Sequence, residues 1–65
     1  MIDIKKLTNN DIGKYVFYNK KEEIGKIKSF NHLWVFVVYN CDNNWNNFKN
    51  YIAAATDPND LNFIN

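Results

Sequence analysis

Between Asn40 and Tyr51 the chain sets Trp45, Phe48 and Tyr51 three residues apart among carboxamides, with Cys41 and Asp42 at the start of the run. The spacing predicts three rings on one side of a helical turn, while the intervening Asn residues favour turns and local backbone hydrogen bonds. Rings of this kind act by contact. They fold back on the domain as a lid, or they stay open as anchors for a partner with Asn44 and Asn47 as hydrogen-bonding neighbours. Cation binding is the second chemistry to weigh, because Asp42-Asn43-Asn44-Trp45-Asn46 begins with oxygen donors at alternate positions, as a calcium loop does. The position that needs Gly is Asn47, and the closing bidentate Glu falls at Ala53, so a structural amide loop is expected, with no metal and no cofactor. Catalysis is the third. His32 and Cys41 are the single residues of their types and lack companions; His32 reads as an exposed turn residue and Cys41 as a small buried filler. Asp57 and Asp60 flank Pro58-Asn59 and are explained by turn formation. A non-enzymatic protein is expected.

These residues need elements to hold them. Thr8-Asn9-Asn10-Asp11 carries a capping-box variant that nucleates one helical turn, delivers Ile12 to the core and ends at Gly13. Tyr15-Val16-Phe17-Tyr18 is β-branched and aromatic and predicts a strand over 14–18, followed by a polar turn over 19–23. Ile24 to Phe30 alternates apolar and charged residues, which predicts a strand with Ile27 inward, Lys26 and Lys28 in solvent, and a bend or bulge at Gly25. After a tight turn at Asn31-His32, Leu33 to Tyr39 reads as the central strand, with Val35, Val37 and Tyr39 on one face and Trp34, Phe36 and Val38 on the other. Ile52 to Thr56 and Leu61 to Ile64 complete five short strands. The fold class is all-β: a small, strongly bent five-stranded barrel with a short N-terminal helical turn, residues 1–65 forming a single domain.

Both faces of the central strand are apolar, where a simple barrel needs one. With Val16 and Tyr18 inward, Tyr15 and Phe17 point out beside Trp34 and Phe36, and this external apolar surface must be covered or used. Trp45, Phe48, Tyr51, Asn44, Asn47, Trp34, Phe36 and Phe17 are therefore the candidate partner-binding residues. Lys20, Lys21, Lys26 and Lys28 line one hairpin as candidate phosphate neighbours for stacked single-stranded nucleic acid, diluted by Glu22 and Glu23; the same four also read as a solvated edge that resists aggregation.

Composition bounds the rest. The 65 residues are 46% hydrophobic and 17% aromatic, which predicts a folded small domain with an aromatic-rich core. A single Cys excludes an intramolecular disulfide and suits a reducing cytosol. Eight Lys, no Arg and seven acidic residues give a formal +1, so a strong general affinity for nucleic acid is not expected from electrostatics alone, and the usual reader of guanine is missing. Heavy use of Asn, Lys and Ile is also what an AT-rich genome would produce without any functional demand. There is no membrane-spanning apolar run and no ordered secretory signal, so a soluble intracellular protein without membrane partners is expected.

The pattern Asp11-Ile12-Gly13-Lys14-Tyr15-Val16, Gly25-Lys26-Ile27, Val35-Phe36-Val37-Val38-Tyr39, Thr56 and Asp60-Leu61 resembles the small SH3-like barrel proteins of bacteriophages and prophages over nearly the whole chain. Asn40-Cys41, Trp45, Asn47, Asn50-Tyr51 and Ala53 are similar to a phage subgroup with the same aromatic, Asn-rich insertion. Ile52 and Ala55 depart from the Thr and Arg of that subgroup, so no phosphate contact is carried over to that position. The resemblance implies an SH3-like barrel and an accessory binding role in the host bacterial cytoplasm, with no catalytic residues. By that analogy the partner is a host protein or nucleoprotein complex, and the effect is inhibition of a host machine such as a nucleic-acid-directed defence system, in the manner of an anti-CRISPR. Two alternatives stand beside it: a module that stacks single-stranded nucleic acid, and a homodimeric or larger assembly factor that pairs through Trp34 and Phe36.

Overall fold

The β-branched and aromatic runs form strands, and local side-chain hydrogen bonds set where several of them begin. A computed structural model describes residues 1–64; Asn65, the last residue of the expected single domain, lies outside the described residues. The strands are β1 (Tyr15–Tyr18), β2 (Glu23–Phe30), β3 (Val35–Val38), β4 (Ala54–Thr56) and β5 (Leu61–Phe63). They make one antiparallel sheet in the order β4-β3-β2-β1-β5. Among the described residues the only helical elements are short 3₁₀ segments at Ile4–Lys6, Asn9–Asp11, Trp45–Asn50 and Pro58–Asp60. The protein is a small all-β domain of five antiparallel strands, with a 3₁₀ turn between the last two.

The N-terminal region holds two 3₁₀ turns where one was expected. The second carries the capping box: the Asn10 N–H donates to the Thr8 hydroxyl, and the Thr8 N–H donates to the Asp11 carboxylate at 2.9 Å. The central strand is shorter than Leu33 to Tyr39. The Asn31 carboxamide oxygen accepts from the N–H groups of Leu33 and Trp34, both at 2.8 Å, and draws them into the turn, so that pairing starts at Val35. The fourth strand also starts late, at Ala54 instead of Ile52. Ala54 pairs with Val37, and β3 ends one residue further on at Val38, so Ile52 has no partner strand and is 94% exposed.

The two faces of β3 each bury a cluster, as its alternation predicts. On the inner side Ile2, Leu7, Val16, Ile27, Val35, Val37 and Leu61 form the main core, with Tyr18, Phe30 and Tyr39 packed against it. On the outer side Val38, Cys41 and Phe48 form a second cluster flanked by Ile12, Trp45, Tyr51 and Ala53. The irregularity in β2 falls between Ile27 and Ser29, in place of the bend expected at Gly25.

Acid sensitivity follows from the cap. The Lys14 ammonium bonds the Asp11 carboxylate at 2.9 Å, and this contact, followed by the Thr8 N–H, holds Asp11 below the ordinary aspartate range. A carboxyl depressed in the folded state stabilises the fold above its unfolded value, and that contribution is lost as pH falls through the folded value. Melting temperature should therefore fall below about pH 4 more steeply in the wild type than in Asp11→Asn. Parallel curves for the two proteins would show that the cap does not titrate with folding.

Candidate binding surface

The segment from Cys41 to Tyr51 crosses the outer face of the sheet as a strap. Asp42 and Asn43 enter it with φ of 52° and 65°, the left-handed region that Asp and Asn tolerate best among residues with a Cβ. The Asn44 N–H donates to the Cys41 carbonyl at 2.8 Å and closes the turn, and a 3₁₀ segment with a kink at Asn47 follows. Phe48 is thereby driven under the strap, 8% exposed, against Val38 and Cys41.

This placement corrects part of the expected contact set. Phe48 is core and is not available to a partner. Tyr51 is half-buried beside it, with its hydroxyl accepting from the Asn44 carboxamide at 3.3 Å. Trp45 is also half-buried, and its ring meets Tyr15 edge-on at 5.7 Å between centroids. Asn44 and Asn47 are exposed, and Phe17 and Phe36 are half-buried on the sheet. The insertion is thus a lid whose Trp45 end still reaches the surface.

A second correction concerns the lysines. Lys26 and Lys28 were expected in solvent, but both are part-buried and tie the strap to β2. The Lys26 ammonium donates to the Trp45 carbonyl at 3.1 Å, and the Lys28 ammonium donates to the Tyr51 carbonyl at 2.8 Å. The two carbonyls bracket the 3₁₀ segment; both contacts are charge-assisted, and the one at Tyr51, the C-terminal end, is also favoured by the segment's dipole. Lys26 also sits 4.8 Å from the Tyr15 ring centroid and 5.0 Å from that of Phe48. Only Lys20 and Lys21 remain in the exposed hairpin turn, and Lys20 lies 3.5 Å from Asp60. One signal for this role was present in the sequence: Lys26 and Lys28 flank inward Ile27, so they share the face that carries the surplus aromatics.

What stays open is an aromatic strip at the strap's leading end. Tyr15 is 39% exposed and Phe63 43% exposed, and with Lys14 and Ile64 they line a cleft of about 460 Å³. The Ile64 N–H donates to the Tyr15 carbonyl at 3.1 Å, and the Lys14 ammonium lies 5.5 Å from the Phe63 ring centroid. Sequence reasoning did not single out Phe63, because it reaches this site only through the pairing of β5 with β1, where Phe63 lies opposite Val16. Trp34, 43% exposed, belongs to a separate patch with Leu33 at the β2–β3 turn.

The titratable groups do not converge. His32 is exposed, Cys41 is a buried free thiol, and no group of three or more His, Cys, Asp or Glu lies together among the described residues. Burial raises the Tyr39 phenol above the ordinary tyrosine value, opposed by its 2.8 Å hydrogen bond to the Thr56 hydroxyl. That pair sits against the main core and fixes β4 to the end of β3. No described helix is long and apolar enough to cross a membrane.

Fold and surface together describe a small all-β domain that offers fixed aromatic side chains to its surroundings. No family model matches the chain, and no curated protein and no solved structure matches it.

Proposed function

We propose that the protein is a non-enzymatic binding module that acts by occupying a surface on another macromolecule, with Tyr15, Trp45 and Phe63 as its anchors. The observation that supports this most is the Tyr15–Trp45 pair, edge-packed, partly exposed and backed by the Lys26 ammonium. Rings already held in place lose little conformational freedom on binding, and Tyr and Trp are the commonest residues at the energetic centres of protein interfaces. A protein partner is favoured over nucleic acid because Lys26 and Lys28 are engaged by the strap and the chain has no Arg. The resemblance to phage SH3-like proteins extends the proposal to an accessory protein of the host bacterial cytoplasm. Its partner is then a host protein or nucleoprotein complex, and its effect is to block a host machine of the nucleic-acid-directed defence type.

The test is capture of partners from a bacterial lysate, with and without nuclease, on wild type, Tyr15→Ala, Trp45→Ala and Trp34→Ala, each first shown to be folded by circular dichroism. A nuclease-resistant protein should be retained by wild type and Trp34→Ala. The other two variants should each bind the purified partner about thirtyfold more weakly, the effect of losing a contact of about 2 kcal/mol. Recovery of nucleic acid alone would transfer the role to the stacking module. Loss with Trp34→Ala only would move the site to the β2–β3 turn.

A further inference from the structure

We propose that β4 is a self-association edge: two copies pair their β4 strands antiparallel about a two-fold axis, and each places its Ile52 over the groove beside the other's strand. The inference is independent of the contact surface around Tyr15. One side of β4 is paired to β3, and its other side ends the sheet. Edge strands in soluble proteins are ordinarily blunted by charge, proline, a bulge or a covering segment. Here no charged residue and no proline occur between Lys49 and Asp57, Ala54 and Ala55 are exposed, and the register with β3 is regular. Shortness is the guard that remains. The opposite end of the sheet differs, since the N-terminal segment reaches it: the Met1 amine bonds the Asn62 carboxamide, and the Ile2 N–H donates to the Pro58 carbonyl at 3.0 Å.

The occupant follows from self-complementarity. A two-fold contact doubles every charge it contains, so an uncharged strand of small side chains is the kind of edge that can meet its own copy without repulsion. Ile52 is 94% exposed, the largest exposure among the bulky apolar side chains described, and it forms one wall of a groove of about 610 Å³ whose other lining includes Val37, Tyr39, Tyr51 and Ala54, with Asp42 as its one charged residue. Projection and groove lie on the same edge, so a two-fold axis through β4 repeats both on each side. A chain of 7.7 kDa is also in the size range where association supplements a small core. In the sheet order β4 lies at the far end from β1 and β5, so such a dimer presents two Tyr15 surfaces and raises the effective concentration of one when the other is engaged.

Sedimentation of the protein from about 10 μM to about 1 mM, the range where weak dimers form, tests the proposal together with Ile52→Asp and Ala55→Lys. Both positions are exposed, so the folded monomer is expected to tolerate the changes. The wild type should approach twice the monomer mass, both variants should stay monomeric with unchanged melting temperature at low concentration, and exchange of the Ala54–Thr56 amides should slow as the wild type is concentrated. A wild type that remains monomeric throughout overturns the proposal. So does association undiminished in both variants, which would place the contact elsewhere, for instance on Trp34.

Discussion

Gly25→Ala is expected to destabilise the protein by about 3 kcal/mol, a large share of the roughly 3 to 10 kcal/mol available to a domain of this length. Gly25 is buried in β2, opposite Val16. A Cβ at this position lies 2.4 Å from Cγ1 of Val37, 2.7 Å from the Val38 carbonyl oxygen and 3.0 Å from the Tyr39 ring. The side chains of Val37 and Tyr39 have little room to move, because both pack in the main core, and the Val38 carbonyl belongs to the backbone of β3. Either β2 moves away from β3 or the core opens. Urea unfolding of Gly25→Ala, Val37→Ala and the double variant checks the cause. Shortening Val37 removes the closest clash and leaves the carbonyl, so the double variant should be more stable than the sum of the two single losses allows. Additive losses would mean that crowding is not the reason for a glycine here.

Phe48→Ala is the second large effect, again about 3 kcal/mol, because it removes the ring that fills the outer cluster and leaves Val38 and Cys41 beneath a strap with nothing to pack on them. Its second signature is chemical. Cys41 is 1% exposed in the folded protein, so its thiol should be unreactive toward an aromatic disulfide reagent under native conditions and should become reactive in Phe48→Ala. Trp45→Ala should leave Cys41 protected, since Phe48 still seals the cluster. If Phe48→Ala retains wild-type stability and a silent thiol, the strap is not a lid, and Phe48 returns to the set of residues free to meet a partner.

The two effects differ in how far the sequence foretold them. Surplus aromatics and a central strand apolar on both faces announce a second cluster, and Phe48 inside it was one of the two readings available. In the sequence Gly25 marks a place for a bend, yet its role is to let Val37 and Tyr39 occupy the space a side chain would take. The lysines show the same limit. Alternation places Lys26 and Lys28 correctly on the outer face, but it does not show that carbonyls of the strap wait there for their ammonium groups. Composition places Ile52 in a strand, and the end of β3 leaves it outside the ladder.

By itself the sequence determined the all-β class, the sites of the five strands, the Thr8–Asp11 cap and the burial of Cys41. Each of these rests on near neighbours along the chain: period-two alternation, β-branched and aromatic runs, and side chains that bond backbone groups two or three residues away. Only the tertiary structure decided which of the three insertion aromatics is core and which reaches the surface, that Phe63 joins Tyr15, and that two lysines latch the strap. Those contacts join residues 19 and 23 positions apart in the case of the lysines, and the two ends of the chain in the case of β5 and β1. They are set by sheet register, where a shift of one residue exchanges the buried and exposed faces of a strand, and register is fixed by how the strands pack together.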